Sequence, residues 1–519
     1  MTRVLAHTGF TSGLLLTDCT GEQDTHRHPM HLLPGTQLPS GTTAPQYNPE
    51  NHGIGIVHFG PGAFHRAHQA VYTDDVLARH GGDWRICGVS LQSTQGADIL
   101  NRQKGRYSLT IRGTEKTERR IIASISHALA ATRGSEAALD LLAGPSIRIV
   151  SMTVTEKAYG ILGTSGKVDT SHPAVAADLR NPKDPRGLLG LLVAGFARRK
   201  AAGLPPFTVL CCDNLPENGR LIRAGVLDFA NRTDPNLAGW IAENGAFPST
   251  MVDRITPAAT DAFLAETEKQ LGARDSAATQ TEAFTQWVVE DTFCNSRPRW
   301  EDAGVLFVPD VAPYENMKLR MLNGTHSLIA YTGFLTGKKY VRDVMQDPVL
   351  RALALAHMKN AALTLADLPA VDFKTYAAEL SDRFDNSAIA HETWQIAMDG
   401  SQKMPQRIFA PATDALEAGR ASATFAVATA AWMRYCLGHA NGRDHDLRDP
   451  LEADLLTITR KAGSDAAQIF DGIAGIPRLM PKVLAGSSEW RADVVRYLGA
   501  MLSEGCEPAL ASALKNIRT

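Results

Sequence analysis

The chain has 519 residues, which is more than a single hydrophobic core usually serves, so we expect two or more domains. Hydrophobic residues make up 44% and charged residues 21% of the chain, a balance that excludes wholesale disorder. Because 53 Lys and Arg stand against 55 Asp and Glu, the formal net charge is only −2, and nucleic acid is not expected as a partner.

Cysteine usage and hydropathy narrow the class of protein further. The seven cysteines are scattered and form no CxxC pair, and no zinc-type spacing of Cys and His occurs. We therefore expect neither a disulfide framework nor a metal site, and a reducing, cytoplasmic compartment fits better. No run of about 18 uncharged apolar residues occurs, so the sequence predicts no membrane span and no membrane partner.

The first fifty residues differ in composition from the rest, being rich in His, Pro, Thr and Gly. Leu14–Leu16 is too short for the core of a signal peptide, and Asp18 follows it closely. We interpret residues 1–50 as a flexible extension, or as the result of a start codon placed too early. An arm that docks on the body of the protein is the alternative.

Strands and helices are predicted to alternate in the first half of the chain. Short apolar runs predict strands at 54–59, 84–91, 147–154 and 207–212. Amphipathic stretches predict helices at 67–78 and 187–200. Such apolar strands, alternating with helices, indicate a parallel sheet covered on both faces. From about Met317 onward helical periods dominate, at 347–359, 375–384, 421–436 and 491–502.

A pair of glycines follows the first predicted strand. Gly60, Gly62, Ala63 and Phe64 lie between that strand and a helix, where backbone N–H groups bind the pyrophosphate of a dinucleotide. The third glycine of the usual GxGxxG pattern is missing, so a purely structural turn is an equally good interpretation.

The second predicted strand bears on the choice of cofactor. It ends at Gly88–Gln92 without the acid that usually binds the ribose of NAD, and the nearest acid is Asp98. We expect NAD, with NADP not excluded. The predicted fold class is α/β: a Rossmann-like dinucleotide-binding domain over residues 51–308, then a mostly α-helical domain over 309–519. The active site should lie in the cleft between them.

The most informative segment contains Lys318, Asn323 and His326. At about 100° per residue, Asn323 and His326 share a helix face, and Lys318 lies about 140° from Asn323 and about 80° from His326. A lysine whose pKa is lowered by burial can take a hydroxyl proton while hydride leaves the carbon. Asparagine amides can hold the developing alkoxide, and a histidine can orient a neighbouring hydroxyl. A solvated lysine with a capping asparagine is the alternative.

Two further segments support a site. Asn214 follows the strand that ends near Cys211, and ligands bind at that edge of open α/β sheets. Asp253 and Arg254 stand inside a short apolar run. The pair is either a plain salt bridge or, if buried beside the cleft, functional.

Together these segments resemble the mannitol dehydrogenase family, the polyol-specific long-chain dehydrogenases. The resemblance runs from about Gly53 to the C-terminus. It rests on Gly60–Gln69, Thr153–Lys157, Cys212–Asn214, Asp253–Pro257 and the set of Lys318, Asn323 and His326.

The resemblance implies a role for each of six residues. Lys318 corresponds to the general base, and Asn214 and Asn323 correspond to the donors of the oxyanion hole. His326 corresponds to the residue that orients the substrate, and Asp253 to a carboxylate that binds substrate or tunes the lysine. Glu156 stands where the family has a carboxylate near the lysine, which implies a proton path to solvent; a structural partner of a neighbouring cation is the alternative. The family uses no metal.

Two branches of this family fit the sequence. Mannitol 2-dehydrogenases reduce fructose, a neutral ketose, whereas fructuronate reductases of hexuronate metabolism convert D-fructuronate to D-mannonate. Residues 391–407 resemble the second branch, because Gln395–Ala397 stands where mannitol enzymes usually show an Arg-Arg-Leu-Cys type sequence. The resemblance therefore implies an NAD(P)-dependent, metal-independent fructuronate reductase. A mannitol or other polyol dehydrogenase is the alternative.

A sugar acid needs a cation that binds its carboxylate. Lys403 and Arg407 are the candidates, and Arg66 and Arg320, which occur in both branches, are others. Ordinary surface charges are an equally good interpretation of Lys403 and Arg407. A catalytically silent sugar- or nucleotide-binding protein is a remote alternative, which the presence of the lysine, asparagines and histidine opposes. The expected partner is a small-molecule sugar acid or polyol, bound by a monomer or small homo-oligomer.

Overall fold

The computed structural model describes residues 31–113, 116–368, 371–387 and 391–518; the side chains of Glu156, Lys157, Thr164 and Arg518 are outside the description. The strands are β1 Thr42–Thr43, β2 Ile54–Phe59, β3 Arg85–Ser90, β4 Tyr107–Arg112, β5 Thr117–Ile122, β6 Ile125–Ala130, β7 Ile149–Met152, β8 Thr208–Cys211, β9 Thr250–Asp253, β10 Thr279–Glu282, β11 Gln286–Glu290, β12 Leu306–Val308, β13 His439–Ala440 and β14 Arg443–Asp444.

The helices of the first part are α1 Ala63–Ala67, α2 Gln69–His80, α3 Gln95–Arg102, α4 Glu136–Ala143, α5 Pro173–Arg180, α6 Leu188–Ala201, α7 Asn218–Thr233, α8 Pro235–Asn244 and α9 Asp261–Leu271. Those of the second part are α10 Ala312–Met317, α11 Gly324–Leu335, α12 Val341–Gln346, α13 Pro348–Ala362, α14 Phe373–Asp385, α15 Thr393–Ala397, α16 Gly400–Met404, α17 Ala410–Glu417, α18 Ala423–Tyr435, α19 Glu452–Ala462, α20 Ala466–Ala474, α21 Lys482–Ala485, α22 Ser488–Ser503 and α23 Cys506–Arg518. Two π-helices, Lys318–Asn323 and Pro405–Phe409, stand between them.

A five-stranded parallel sheet forms the centre of the first part, in the order β6-β3-β2-β7-β8. Its inner strands are buried along nearly their whole length, because helices cover both faces. The predicted two-sided parallel sheet is therefore confirmed. The strand order reverses between β2 and β7, which opens a crevice at their carboxyl ends where α/β sheets bind ligands.

The sequence prediction missed strand β6 of the main sheet, the two-stranded pair β13-β14 and two smaller sheets. One has the order β1-β5-β4-β10, and the other the order β12-β11-β9. Their strands are short, and β5 carries Thr-Glu-Arg-Arg at its start, so no apolar run marks it. They matter for function because β9 ends at Asp253 and β10 ends at Glu282.

The predicted flexible extension needs correction for residues 31–50. Leu32 is 1% exposed and packs with Ile121 and Leu271, and β1 adds a parallel strand to the edge of β5. The Tyr47 hydroxyl donates a hydrogen bond of 2.7 Å to Asp74. Burial of Leu32 and pairing of a free sheet edge hold this segment on the body, as the alternative of a docked arm predicted. Residues 1–30 lie outside the described residues.

The second part is a helical bundle around α11 and α18, both buried on most sides. The four helices predicted there are confirmed as α13, α14, α18 and α22. The change from sheet to helix falls between Val308 and Ala312. Within the described ranges, no helix has the length and apolar character needed to cross a membrane.

Candidate active site

A π-helix carries two of the predicted site residues. The helix that begins at Ala312 widens over Lys318–Asn323 and returns to α-helical geometry at Gly324. In a π-helix each residue bonds to the fifth residue along, so positions five apart lie on one face. The angle of about 140° predicted between Lys318 and Asn323 from regular α-helical geometry is therefore wrong, because the widened turn brings them together.

Lys318 is 8% exposed and is held by two hydrogen bonds from its amine. Nζ donates to Oδ1 of Asn214 at 2.7 Å and to the carbonyl oxygen of Val252 at 2.5 Å. Burial lowers the pKa of this amine below its usual value; the Asp253 carboxylate opposes that effect, and the Arg383 and Arg407 guanidinium groups add to it. The alternative of a solvated lysine does not fit this placement.

Asn214 and Asn323 meet the lysine at one cavity of about 120 Å³. Asn214 comes from the loop after β8, and Asn323 from the last position of the π-helix. The structure thus brings together a buried amine and two amide side chains from distant parts of the sequence, at the carboxyl edge of the parallel sheet.

His326 lies one turn beyond Asn323 and is buried. Its ring centroid is 4.5 Å from that of Phe384 and 5.4 Å from that of His391. Burial lowers its pKa well below the usual value, so the imidazole is neutral. Among the described residues Nε2 has no hydrogen-bond partner, which leaves it available to a ligand hydroxyl.

Asp253 is bound on both oxygens by an arginine that sequence analysis missed. Arg383 donates to its two oxygens at 2.8 and 3.0 Å, and to the two oxygens of Glu282 at 3.0 and 2.8 Å. Asp253 is therefore engaged within the protein, although its charge still acts on Lys318. Helical spacing could have identified Arg383 in the sequence, because it places this arginine on the same buried face of α14 as Tyr376 and Leu380.

Glu315, one turn before Lys318, lines the same cavity and was also missed. Its Oε2 accepts a bond of 3.3 Å from the backbone N–H of Glu217, while Oε1 is buried without a partner among the described residues. Burial raises the pKa of this carboxyl to about 7. The spacing of three residues from the lysine could have identified it. The side chain of Glu156, the predicted proton path, lies outside the described residues.

Of the four cations considered for a substrate carboxylate, Arg407 stands next to the site. Its guanidinium approaches the carbonyl oxygen of Asn323 at 3.5 Å and Oγ of Ser327 at 3.4 Å. Burial lowers its pKa to about 10, so it stays charged at neutral pH. It forms no ion pair with any residue that the structure describes.

Lys403 is partly buried in the same region. Its amine donates to the carbonyl oxygens of Ile396 and Met398 at 3.2 and 2.6 Å, and lies 3.9 Å from Asp399. Burial, and then the neighbouring Arg407, lower its pKa to about 8. Neither cation is the ordinary surface charge of the alternative interpretation.

Arg66 and Arg320, the other two predicted cations, bind groups of the protein itself. Arg66 donates to the carbonyl oxygen of Pro61 at 2.8 Å and to Thr279 at 3.2 Å, and so ties the glycine loop to β10. Arg320 donates to the carbonyl oxygen of Thr364 at 2.7 Å and pairs with Asp414 at 2.6 Å. Arg320 stands two residues after Lys318, on another side of the helix, and these two contacts engage it there.

The glycine loop fits a dinucleotide pyrophosphate. Gly60 has a φ of +85°, and a Cβ there would lie 2.1 Å from the carbonyl oxygen of Thr153, so only glycine fits. A Cβ on Gly62 would meet nothing closer than 3.8 Å, which leaves room for close approach of a ligand. Ala63 and Phe64 begin α1, where the first backbone N–H groups have no partner inside the helix.

The acid considered for the ribose is engaged elsewhere. Asp98 accepts two hydrogen bonds from Arg133, at 2.9 and 2.8 Å. Across the part of the chain with described side chains, no three or more His, Cys, Asp or Glu side chains are grouped as a metal ion would require.

Comparison with known proteins agrees with this geometry. The mannitol dehydrogenase Rossmann domain matches residues 54–302, and the mannitol dehydrogenase C-terminal domain matches residues 310–474. D-mannonate oxidoreductase of Escherichia coli K12 is 42% identical over 87% of this chain and 93% of its own length. Mannitol 2-dehydrogenase of Phaeosphaeria nodorum is 41% identical over 80% of this chain and 74% of its own length.

A solved structure is similar over nearly the whole chain. Mannitol 2-dehydrogenase of Pseudomonas fluorescens, in a ternary complex with NAD and D-mannitol, has a TM-score of 0.81 and 37% identity, and the match covers 94% of this chain and all of that one. The chain belongs to the mannitol dehydrogenase family and is an oxidoreductase of that family. The predicted resemblance and the predicted succession of a Rossmann domain and a C-terminal helical domain are confirmed.

Proposed function

We propose that this oxidoreductase interconverts the keto group of a sugar acid and the corresponding secondary alcohol, with NAD as cofactor. D-fructuronate and D-mannonate are the proposed substrate pair. The observation that carries the reaction type is the buried amine of Lys318, held by Asn214 in a cavity that Asn323 also lines. We also propose that the boundary between the two domains lies between residues 308 and 309.

Lys318 is the proposed proton donor in reduction and the proton acceptor in oxidation. A bound nicotinamide supplies or accepts the hydride. Asn214 and Val252 accept hydrogen bonds from the lysine amine and so fix its position. Burial lowers the pKa of the Lys318 amine, so the neutral amine that oxidation needs is populated at a lower pH than for a lysine in water.

The two asparagines are the proposed donors to the substrate oxygen. Asn214 uses its Oδ1 to hold Lys318, which leaves its amide N–H groups free to point toward an alkoxide beside the lysine. Asn323 lines the same cavity. An amine and two amide donors provide both the proton and the charge stabilisation, so the proposal needs no metal.

His326 and Glu315 complete the proposed mechanism. The neutral imidazole of His326 has a buried nitrogen available for a substrate hydroxyl. Glu315 is the proposed route by which the lysine proton reaches solvent. Its carboxyl lines the cavity of Lys318, and its pKa of about 7 allows it to accept and release a proton near neutrality.

Arg407 supports a substrate with a carboxylate. Its cation is desolvated, contacts the backbone of Asn323 and has no acidic partner among the described residues, so a ligand carboxylate would relieve an uncompensated charge. Lys403 adds a second positive charge nearby. The identity of 42% with D-mannonate oxidoreductase supports the same choice.

A polyol dehydrogenase remains the second candidate, because mannitol 2-dehydrogenase is 41% identical. The test is a spectrophotometric assay of reduced cofactor with NADH and NADPH, each against D-fructuronate and D-fructose. Turnover of D-fructuronate at least about tenfold faster than that of D-fructose supports the proposal. Faster turnover of D-fructose would contradict the proposal and indicate a polyol dehydrogenase.

A further inference from the structure

We infer that Arg383 is a positioning residue that sets the protonation of Lys318, and through it the pH range in which the enzyme oxidises an alcohol. The inference rests on the proposed role of Lys318 as the base. Arg383 does not line the lysine cavity; it acts through Asp253.

Arg383 joins the helical part of the molecule to two different sheets. It projects from α14, binds Asp253 at the end of β9 through both oxygens, and binds Glu282 at the end of β10 through both oxygens. Its guanidinium carbon lies 4.0 Å from the centroid of the Phe284 ring. The side chains of Arg383, Asp253 and Glu282 are 5%, 6% and 2% exposed, so water screens their charges little.

This group lies against the lysine. The carbonyl oxygen of Val252 accepts a hydrogen bond from Lys318, and Asp253 is the next residue along β9. An isolated Asp253 carboxylate would attract a proton onto the lysine amine, and the attraction would be strong in so buried a place. The guanidinium of Arg383 cancels much of that attraction, because it is held between the two carboxylates.

The other ionisable groups near Lys318 affect its protonation less than Asp253 and Arg383 do. They are Glu315 on its own helix, Asp213 after β8, His68 before α2, His326 on α11 and Arg407 on the second π-helix. Burial keeps both histidines neutral and raises the pKa of the two carboxyls, to about 7 and about 6. Asp253 is the carboxylate with the largest effect on Lys318, and Arg383 is the cation with the largest effect.

Removing a positive charge and removing a negative charge from the cluster should therefore shift the pH at which Lys318 loses its proton in opposite directions. Arg383→Gln removes the compensating cation, so the lysine holds its proton to a higher pH. Glu282→Gln leaves the guanidinium with a single carboxylate, so the lysine loses its proton at a lower pH. Arg383→Lys keeps the positive charge and should restore the original behaviour.

The experiment measures the pH at which Lys318 loses its proton in two independent ways in the full-length protein. The first is the pH profile of kcat for alcohol oxidation; the second is the pH dependence of acetylation of Lys318 by acetic anhydride, followed by peptide mass spectrometry. For Arg383→Gln both midpoints should rise by about one pH unit, for Glu282→Gln both should fall, and for Arg383→Lys they should stay near the wild-type value.

Unchanged midpoints in Arg383→Gln, with activity or stability lost equally at every pH, would overturn the inference and leave Arg383 as a structural bridge. If Arg383→Gln does not fold, Glu282→Gln is the test: lower midpoints would support the inference, and unchanged midpoints would contradict it. The acetylation midpoint does not depend on turnover. A shift in it, in an enzyme inactive on all tested substrates, would contradict the proposed function but still support the effect of Arg383 on the protonation of Lys318.

Discussion

Nζ of Lys318 and Oδ1 of Asn214 lie 2.7 Å apart although 104 residues separate them in the sequence. The asparagine stands where a strand of the parallel sheet ends, and the lysine stands where the first helix of the second part widens. The site therefore forms only when the two parts of the chain pack together.

Lys318→Ala should lower kcat by about 10²–10⁴, because it removes the proposed proton donor and acceptor while the proposed amide donors remain. Binding of NADH, followed by fluorescence titration, should stay nearly unchanged, since the lysine lies outside the glycine loop. Lys359→Ala, at an exposed position of α13, is the matched control. Near-normal turnover in Lys318→Ala would remove the lysine from the mechanism.

Arg407→Gln should reduce kcat/KM for D-fructuronate by about 10²–10³, because a desolvated cation that pairs with a substrate carboxylate is lost. The effect on D-fructose should be smaller, since that ketose carries no carboxylate. Arg320→Gln is the control, because Arg320 is paired with Asp414 on another side of the helix. Equal losses on both substrates, or a larger loss from Arg320→Gln, would contradict the assigned carboxylate contact.

Glu315→Gln should change the pH dependence of oxidation. The folded pKa of about 7 lies above the usual range of a glutamate, so the carboxylate that accepts a proton is present above that pH and is lost below it. The variant should be slower by about tenfold at high pH and closer to wild type below about pH 6. Profiles from about pH 5.5 to about pH 9.5 test this, with Glu243→Gln on the exposed side of α8 as control.

The two loop glycines should respond differently to a methyl group. Gly60→Ala puts a Cβ against the carbonyl oxygen of Thr153 and should destabilise the fold by about 1–3 kcal/mol, seen as a lower Tm. Gly62→Ala meets open space, so Tm should hold while the Kd of NADH rises by about tenfold. An unchanged Kd in Gly62→Ala would place the pyrophosphate elsewhere.

Four of the five strands of the main sheet were predictable because they are buried on both faces and so appear as continuous apolar runs, whereas β6, buried at only half of its positions, was not predicted. The inner strand β5 of a smaller sheet was not predictable either, since half of its residues are charged. The sequence also placed Asn214, Lys318, Asn323 and His326 in one site, as the structure does for the two asparagines and the lysine at a single cavity. It named Arg407 ahead of Arg320 because Arg320 occurs in both branches of the family. It could not show that Arg320 is paired with Asp414, since that carboxylate is distant in the sequence.

The π-helix makes the number of residues between Met317 and Gly324 as important as their identity. Loss of one residue from this turn would let it close into a regular α-helix and would rotate the preceding segment by about 100°. Lys318 would then point away from Asn214 although no residue of the site had been substituted. A deletion of Leu319 alone should thus abolish activity. Apart from Lys318 and Asn323, the residues of this turn should tolerate a change of side chain far better than the turn tolerates a change of length.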